Sequence, residues 1–193
     1  MTSSTPPAPA APPERPLERV LAGVARRIEA PLEVLLRASW PRRALARRAT
    51  RAWKASDEPL FLCYGNINRS PFAALLATQR SGRRTSSAGL FPAAGRSAPA
   101  ASIERARHYG VDLGEHRSRV AGRDELSRAE AIFVFDLENV ARIAAQAPRA
   151  LSRTHLLGPL APQRTVFIQD PHGRPAEVLE RAYEQISDAL GAV

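Results

Sequence analysis

Residues 60–71 read LFLCYGNINRSP, a short apolar run followed by a polar loop and a proline-led segment. The apolar run at 60–62 predicts a buried β-strand, and the proline is typical of the first turn of a helix, here expected over 71–79. Between strand and helix lie Cys63 and Arg69, separated by five residues. Ligands of open parallel sheets bind beyond the carboxyl ends of the strands. This loop is therefore the first candidate for a functional site.

Strand and helix patterns alternate along the rest of the chain. The run at 131–135 is the clearest strand, and apolar residues at helical spacing fill the intervals between strands. This alternation predicts an α/β fold with a mainly parallel sheet and crossover helices on both faces. We expect a flavodoxin-like three-layer sandwich with a central, mainly four-stranded parallel sheet. Further strands are predicted at 85–88 and 165–168, and further helices at 103–109, 137–146 and 178–190.

The part of the chain before the first strand has a different composition. Residues 1–13 contain no charged and no aromatic residue, so we expect a disordered Pro/Ala-rich tail. Residues 14–58 predict a basic, helical extension and linker, in which Pro31 is expected to interrupt a first helix and a basic segment ends near Trp53. The remaining residues, 59–193, are expected to form the folded domain.

The charge balance favours acidic partners. The 193 residues carry 28 Lys and Arg against 19 Asp and Glu, a formal net charge of +9. Phosphate esters, nucleic acids and anionic membranes all fit this sign.

Cys63 is the single cysteine, which excludes an intrachain disulfide and a cysteine-based zinc site. We expect a cytoplasmic protein, because a reduced cysteine suits that compartment and the chain shows neither a secretory signal pattern nor an apolar stretch long enough to span a membrane.

The residue types in the loop suit the binding of a tetrahedral anion. Backbone N–H groups and the positive end of the following helix attract a phosphate, and the planar guanidinium of Arg69 can hold two of its oxygens. Gly65 and Asn66 tolerate the left-handed backbone that such a curled loop requires. The same field favours the thiolate of Cys63, the form that attacks phosphorus. The plainer alternative is a buried strand cysteine followed by a solvated arginine.

Several motifs in order resemble the low-molecular-weight protein tyrosine phosphatases, over residues 59–193. The signature of that family is a Cys, five intervening residues and Arg-Ser or Arg-Thr after the first strand. The resemblance implies that Cys63 is the nucleophile, Arg69 the phosphate-binding arginine and Ser70 the hydroxyl that supports the thiolate. Asn66 matches the asparagine that holds the loop backbone in place. The remaining members of the phosphate-binding loop are then Tyr64, Gly65, Ile67 and Asn68.

Motifs outside the loop extend the resemblance. Asp170-Pro171 looks like the family's Asp-Pro loop, which implies that Asp170 is the general acid and base. By resemblance, Ser87 and His116 buttress the loop through hydrogen bonds. Asp136 matches a family position and is assigned no catalytic role.

The function implied is metal-independent hydrolysis of phosphotyrosine in proteins through a phosphocysteine intermediate, without a cofactor. The expected partners are phosphotyrosine proteins and a tyrosine kinase, with no nucleic acid, in a monomer or a homodimer. Two alternatives stay open: a non-catalytic module that binds phosphorylated ligands, and an arsenate reductase that uses an external thiol. An arginine-phosphate phosphatase is less favoured, since relatives of that kind carry a small hydroxyl residue where Ile67 stands.

Two departures from the family pattern have consequences. Asn68 stands where many members carry a second cysteine that protects the nucleophile, so Cys63 is expected to be over-oxidised by peroxide. His172 and Gly173 replace the aromatic residues that often follow Asp-Pro, which leaves Tyr64 as a substitute ring surface.

The extension has two interpretations. Its helices can pack on the domain or on a second copy of the chain, which is the favoured reading. Alternatively, residues 42–54, with Trp40 and Trp53, can lie on an anionic membrane surface. The second reading is less favoured, because a basic helix face is usually only solvated.

Overall fold

The computed structural model describes residues 15–37, 39–163 and 165–192, and the predicted tail at 1–13 lies outside them. Within the described residues the chain forms four strands and seven α-helices. The strands are β1 (Leu60–Cys63), β2 (Ser86–Gly89), β3 (Ile132–Val134) and β4 (Thr154–Leu156). The helices are α1 (Pro16–Leu36), α2 (Ser39–Ala55), α3 (Arg69–Ser81), α4 (Ala100–Arg107), α5 (Arg123–Arg128), α6 (Leu137–Gln146) and α7 (Ala176–Gly191).

The four strands form one parallel sheet in the order β2-β1-β3-β4. Side chains alternate between its two faces, and both faces are buried. Phe61 and Phe133 face α2, α3 and α7, whereas Leu62 and Val134 face the side of α5 and α6. The predicted α/β fold, with a four-stranded parallel sheet between helical layers, is confirmed.

The strand predicted at 165–168 is wrong. Its apolar residues are buried, but the position beside β3 is taken by β4, in register with Ile132–Val134. The segment instead crosses beyond the end of β3, where Ile168 N–H donates to the carbonyl oxygen of Phe135 at 2.7 Å. A short apolar run cannot distinguish a sheet strand from other buried extended chain. The three residues of β4, with their mixed composition, carried no strand signal.

Both helices of the N-terminal region pack on the sheet domain. Helix α1 lies against α6 with Glu18, Ala22 and Ala25 buried. Helix α2 inserts Trp53 beside Phe61 and Phe133, with ring centroids 6.3 and 5.9 Å away. None of the described helices combines the length and the apolar character that crossing a membrane requires.

The predicted interruption at Pro31 is wrong, since α1 continues through it to Leu36. Proline removes one helical hydrogen bond, the one to the carbonyl of Arg27, but both residues are exposed and water can bind that carbonyl. Contacts on either side hold the helix on the domain. Glu29 Oε2 accepts from Leu137 N–H at 2.9 Å, and Glu33 Oε1 accepts from Val166 N–H at 3.4 Å.

Candidate active site

The loop between β1 and α3 surrounds the sulfur of Cys63. Cys63 ends β1 at the carboxyl edge of the sheet and is buried. Its Sγ atom lies 3.0 Å from the hydroxyl oxygen of Ser70 and 3.2 Å from the backbone nitrogen of Asn66. Both groups can donate a hydrogen bond to sulfur, so the surroundings suit a thiolate.

Asn66 is the hub of the loop. Its φ of 50° lies in the left-handed region, the only such non-glycine residue in the described part of the chain. Its side-chain Nδ2 donates to the hydroxyls of Ser70 and Ser87, both at 3.0 Å, and its Oδ1 accepts from Arg119 N–H at 2.9 Å. His116 Nε2 lies 2.7 Å from the backbone oxygen of Asn66 and must be the donor, because a carbonyl only accepts. The structure therefore brings Ser87 and His116 together with the loop.

Arg69 is buried at the start of α3 between two carboxylates. One terminal nitrogen donates to Asp136 Oδ2 at 2.5 Å and to the Ile168 carbonyl at 3.0 Å, and the other lies 2.8 Å from Asp170 Oδ2. Burial opposes its charge, but Asp136, Asp170 and Cys63 together raise the pKa of Arg69 above its ordinary value. The guanidinium is therefore a fixed positive charge beside the sulfur.

Several donors around the loop lack a partner among the described residues. The Nε of Arg69 is buried without a hydrogen bond. The backbone N–H groups of Gly65, Ile67 and Asn68 likewise have no acceptor within the described chain. Leaving a buried donor unpaired costs about 1–3 kcal/mol, so this cluster suits a bound anion that brings its own acceptors.

A cavity of about 180 Å³ opens onto the sulfur. The rings of Tyr64 and Phe91 meet edge to face at 5.2 Å on its wall. Arg96 lies over the Phe91 ring at 4.5 Å and donates to the Gly65 carbonyl at 2.7 Å. A Cβ at Gly65 would lie 3.2 Å from the Arg96 guanidinium, so a larger side chain there would displace Arg96. The left-handed backbone expected at Gly65 and Asn66 is found at Asn66 and not at Gly65. The full lining is Cys63, Tyr64, Gly65, Ile67, Asn68, Phe91, Arg96, Asp170 and His172.

Asp170 stands at the mouth of the cavity. Its side chain is 39% exposed, and its Oδ1 accepts from His172 N–H at 3.2 Å in a short turn. Asp170 and Cys63 line the same cavity, so a group bound there can contact both side chains.

Sequence reasoning missed Phe91 and Arg96, which follow β2 at the same edge of the sheet in a loop that no motif distinguishes. Asp136, which the sequence assigns no catalytic role, supports the site in the structure. It holds the Arg69 guanidinium and caps α6 by accepting from Asn139 N–H at 2.7 Å. Its place directly after the clearest strand is the signal for this supporting position.

Helix α1 forms one side of a second, open cavity of about 550 Å³ that also reaches Asp136 and Asp170. Glu29 lies on this side. Burial, then repulsion from Asp136, raises the pKa of Glu29 to about 7. Glu29, on α1, is therefore influenced by the charge of Asp136, the carboxylate that holds Arg69. Among the described residues no group of three His, Cys, Asp or Glu side chains is placed to hold a metal ion.

Residues 59–193 match the family model of low molecular weight phosphotyrosine protein phosphatases. The "Probable low molecular weight protein-tyrosine-phosphatase EpsP" of Ralstonia nicotianae is 32% identical over 134 residues, 69% of this chain and 90% of the relative. A protein-arginine-phosphatase of Geobacillus stearothermophilus is 29% identical, over 68% and 89% of the two chains.

Solved structures agree with the family match. Wzb of Vibrio vulnificus, in complex with benzylphosphonate, superimposes with a TM-score of 0.64 at 28% identity, covering 72% of this chain and 97% of that one. The match spans the sheet and the cysteine loop described above. The chain belongs to the low molecular weight phosphotyrosine protein phosphatase family.

Proposed function

We propose that the protein hydrolyses phosphotyrosine in proteins through a phosphocysteine intermediate, with Cys63 as nucleophile, Arg69 as phosphate clamp and Asp170 as general acid and base. One observation carries the proposal. The Cys63 sulfur and the Asp170 carboxylate line the same small cavity, beside a buried arginine whose Nε has no partner in the described chain. A phosphoryl group in that cavity would meet a nucleophile, a clamp and a proton donor together.

The first chemical step transfers the phosphoryl group to sulfur. Arg69 and the unpaired backbone N–H groups of the loop hold the equatorial oxygens, which supplies the positive charge that the transition state needs. The Cys63 thiolate attacks phosphorus, the S–P bond forms, and the bond from phosphorus to the tyrosine oxygen breaks. Asp170, protonated in the substrate complex, donates its proton to the leaving phenolate.

The second step releases phosphate. Asp170, now ionised, accepts a proton from a water molecule that attacks the phosphocysteine. The S–P bond breaks and the thiolate returns to its donors, Ser70 Oγ and Asn66 N–H. We assign Asn66, Ser87 and His116 the role of holding the loop in its anion-binding shape, because their hydrogen bonds fix the left-handed residue at its centre.

The shape of the cavity supports an aromatic substrate. Cys63 is only 3% exposed, so a phosphate must reach to the bottom of the cavity on a long side chain. Tyr64 and Phe91 give two aromatic walls, and Ile67 adds an apolar one. A phosphotyrosine ring fits this lining better than the short side chain of phosphoserine. The nucleophile requires a reduced thiol, which supports a cytoplasmic setting. A phosphotyrosine substrate implies a tyrosine kinase as the opposing enzyme.

The test is a steady-state comparison of kcat/KM on matched phosphotyrosine, phosphoserine and phosphoarginine peptides, with p-nitrophenyl phosphate as a reference and arsenate as a further substrate. We expect the highest kcat/KM for phosphotyrosine and loss of turnover in Cys63→Ser. The exposed Asp124, outside the cavity, provides a control variant, Asp124→Asn, which should retain activity.

A preference for phosphoarginine would contradict the assignment of substrate. Absence of turnover by the unmutated protein, with phosphopeptide binding intact, would instead support the non-catalytic module.

A further inference from the structure

Helix α1 presents an apolar stripe to solvent. Its members recur at helical spacing on one face and are between 47% and 69% exposed. The helix contacts the domain with a different face, on which Glu18, Ala22 and Ala25 are buried. We call this surface the α1 stripe: Leu17, Val20, Val24, Ile28 and Leu35.

The arrangement departs from that of an ordinary surface helix, which buries its large apolar side chains. Segment 1–14 has a single large aliphatic residue, Met1, so its composition offers little to cover the stripe. An exposed apolar surface of this length marks an interaction site.

Charges around the α1 stripe are separated by face. Arg19 and Arg27 are exposed, and neither pairs with a carboxylate among the described residues. The acidic residues of the helix are turned toward the domain, where Glu29 and Glu33 accept backbone hydrogen bonds from Leu137 and Val166. The outward side of α1 is therefore apolar and positive.

Helix α2 also carries an exposed aromatic residue and exposed arginines. Trp40, five residues after Leu35, is 76% exposed and begins a face on which Arg43, Arg47 and Arg51 are all exposed. Tryptophan is enriched where an apolar phase meets water, and arginine pairs with phosphate.

The membrane face that the sequence offers as the less favoured alternative needs correction at three positions. Trp53 is buried in the core, and Arg42 and Arg48 donate to carbonyls of the domain, at Pro159 and Ser152. These side chains are therefore held by contacts within the fold, although Arg48 stays exposed.

We propose that the α1 stripe binds the surface of an anionic lipid bilayer. Its apolar side chains enter the boundary between headgroups and acyl chains, and Arg19 and Arg27 contact lipid phosphates. A second copy of the chain fits less well, because Arg19 and Arg27 would meet their own counterparts with no outward carboxylate on α1 to pair with them. The inference is independent of the proposed catalytic activity.

Flotation of the full-length protein with phosphatidylcholine vesicles, with and without phosphatidylglycerol, tests the proposal. We expect binding that requires phosphatidylglycerol and that weakens as salt is raised. The stripe variant Val24→Ser/Ile28→Ser should lose about tenfold or more of the affinity. Its matched control is Leu75→Ser/Val120→Ser, at two apolar residues outside the extension that are 42% and 40% exposed, and this variant should bind as the unmutated protein does.

A second pair of variants tests the charge. Arg19→Gln/Arg27→Gln should weaken binding to anionic vesicles about tenfold or more, whereas Arg107→Gln/Arg123→Gln, exposed on other helices, should not. Far-ultraviolet circular dichroism and the Tm check that each variant is folded. Equal binding to neutral and anionic vesicles overturns the proposal. Normal vesicle binding by the stripe variant also overturns it. A third contradicting result is that the unmutated protein binds no vesicles and forms a dimer in sedimentation velocity, which the stripe variant converts into a monomer.

Discussion

Replacing Asn66 tests how the phosphate loop is held. The side chain of Asn66 makes three hydrogen bonds, to Ser70, Ser87 and Arg119 N–H. At about 1 kcal/mol for each bond, Asn66→Ala removes about 3 kcal/mol. The left-handed φ of 50° adds about 1 kcal/mol for alanine. The expected loss in the free energy of unfolding is therefore about 4 kcal/mol.

Two further variants separate the contributions. Asn66→Gly loses the same three bonds but tolerates the backbone, so it should be about 1 kcal/mol more stable than Asn66→Ala. Ser87→Ala removes one bond and should cost about 1 kcal/mol.

Urea unfolding measures the stability of each variant, and kcat/KM for p-nitrophenyl phosphate reports whether the loop keeps its anion-binding shape. Activity should fall about a hundredfold in Asn66→Ala, as expected for about 3 kcal/mol of lost transition-state stabilisation. An Asn66→Ala variant within about 0.5 kcal/mol of the unmutated protein, with normal activity, would refute this reasoning.

Further predictions concern four residues, namely the general acid Asp170, the cavity wall at Phe91, Glu29 on α1, and the oxidation of Cys63. Asp170→Asn should lower kcat/KM about 10²–10⁴-fold for phenyl phosphate and less for p-nitrophenyl phosphate, whose leaving group needs less protonation; equal losses for the two substrates would argue against a general acid. Phe91→Ala should raise KM for phosphotyrosine peptides and leave kcat largely unchanged; a fall in kcat alone would contradict a role in ring binding. The pKa of Glu29 is raised from 4.5 to about 7 in the folded protein. The stability that its neutral form contributes is therefore fully present below pH 4.5 and is lost as pH rises through 7. Between pH 5 and pH 8, the free energy of unfolding of Glu29→Gln should therefore rise by about 1 kcal/mol relative to that of the unmutated protein, a figure reduced because Glu29 is partly exposed. Urea unfolding measures this difference, and a constant difference across that range would contradict a titrating Glu29. Peroxide should inactivate the enzyme in a way that a thiol reductant does not reverse. Cys63 is the single cysteine, so it has no partner with which to form a protective, reversible disulfide. Full recovery of activity would contradict this expectation.

The core of the fold was predictable because its elements carry local signals. The apolar runs at 60–62 and 131–135 are strands, and the helix predicted at 137–146 has those bounds in the structure. The missed strand β4 and the wrong strand at 165–168 share one cause. Which segment pairs with β3 depends on the long-range register, and composition over three or four residues does not encode it.

The candidate site likewise contains residues that the sequence predicts and residues that only the fold brings together. Cys63 and Arg69 were recognisable because they lie within seven residues of one another, in a loop that the strand and helix patterns bracket. Phe91, Arg96 and Asp136 come from other loops and meet the site only through the order of the strands. The helical period of α1 was visible, but its orientation was not. Glu29 and Glu33 hydrogen-bond to distant backbone groups on the buried side of α1, and the helical period does not encode these contacts.

Trapping of the covalent intermediate tests the central claim most directly. Rapid quenching of the protein during turnover of a ³²P-labelled phosphotyrosine peptide, followed by peptide mapping, should place the label on Cys63. The label should disappear in Cys63→Ser and persist longer in Asp170→Asn, whose intermediate lacks the base for hydrolysis. Turnover of the unmutated enzyme with no label on Cys63, or activity retained by Cys63→Ser, would contradict the account.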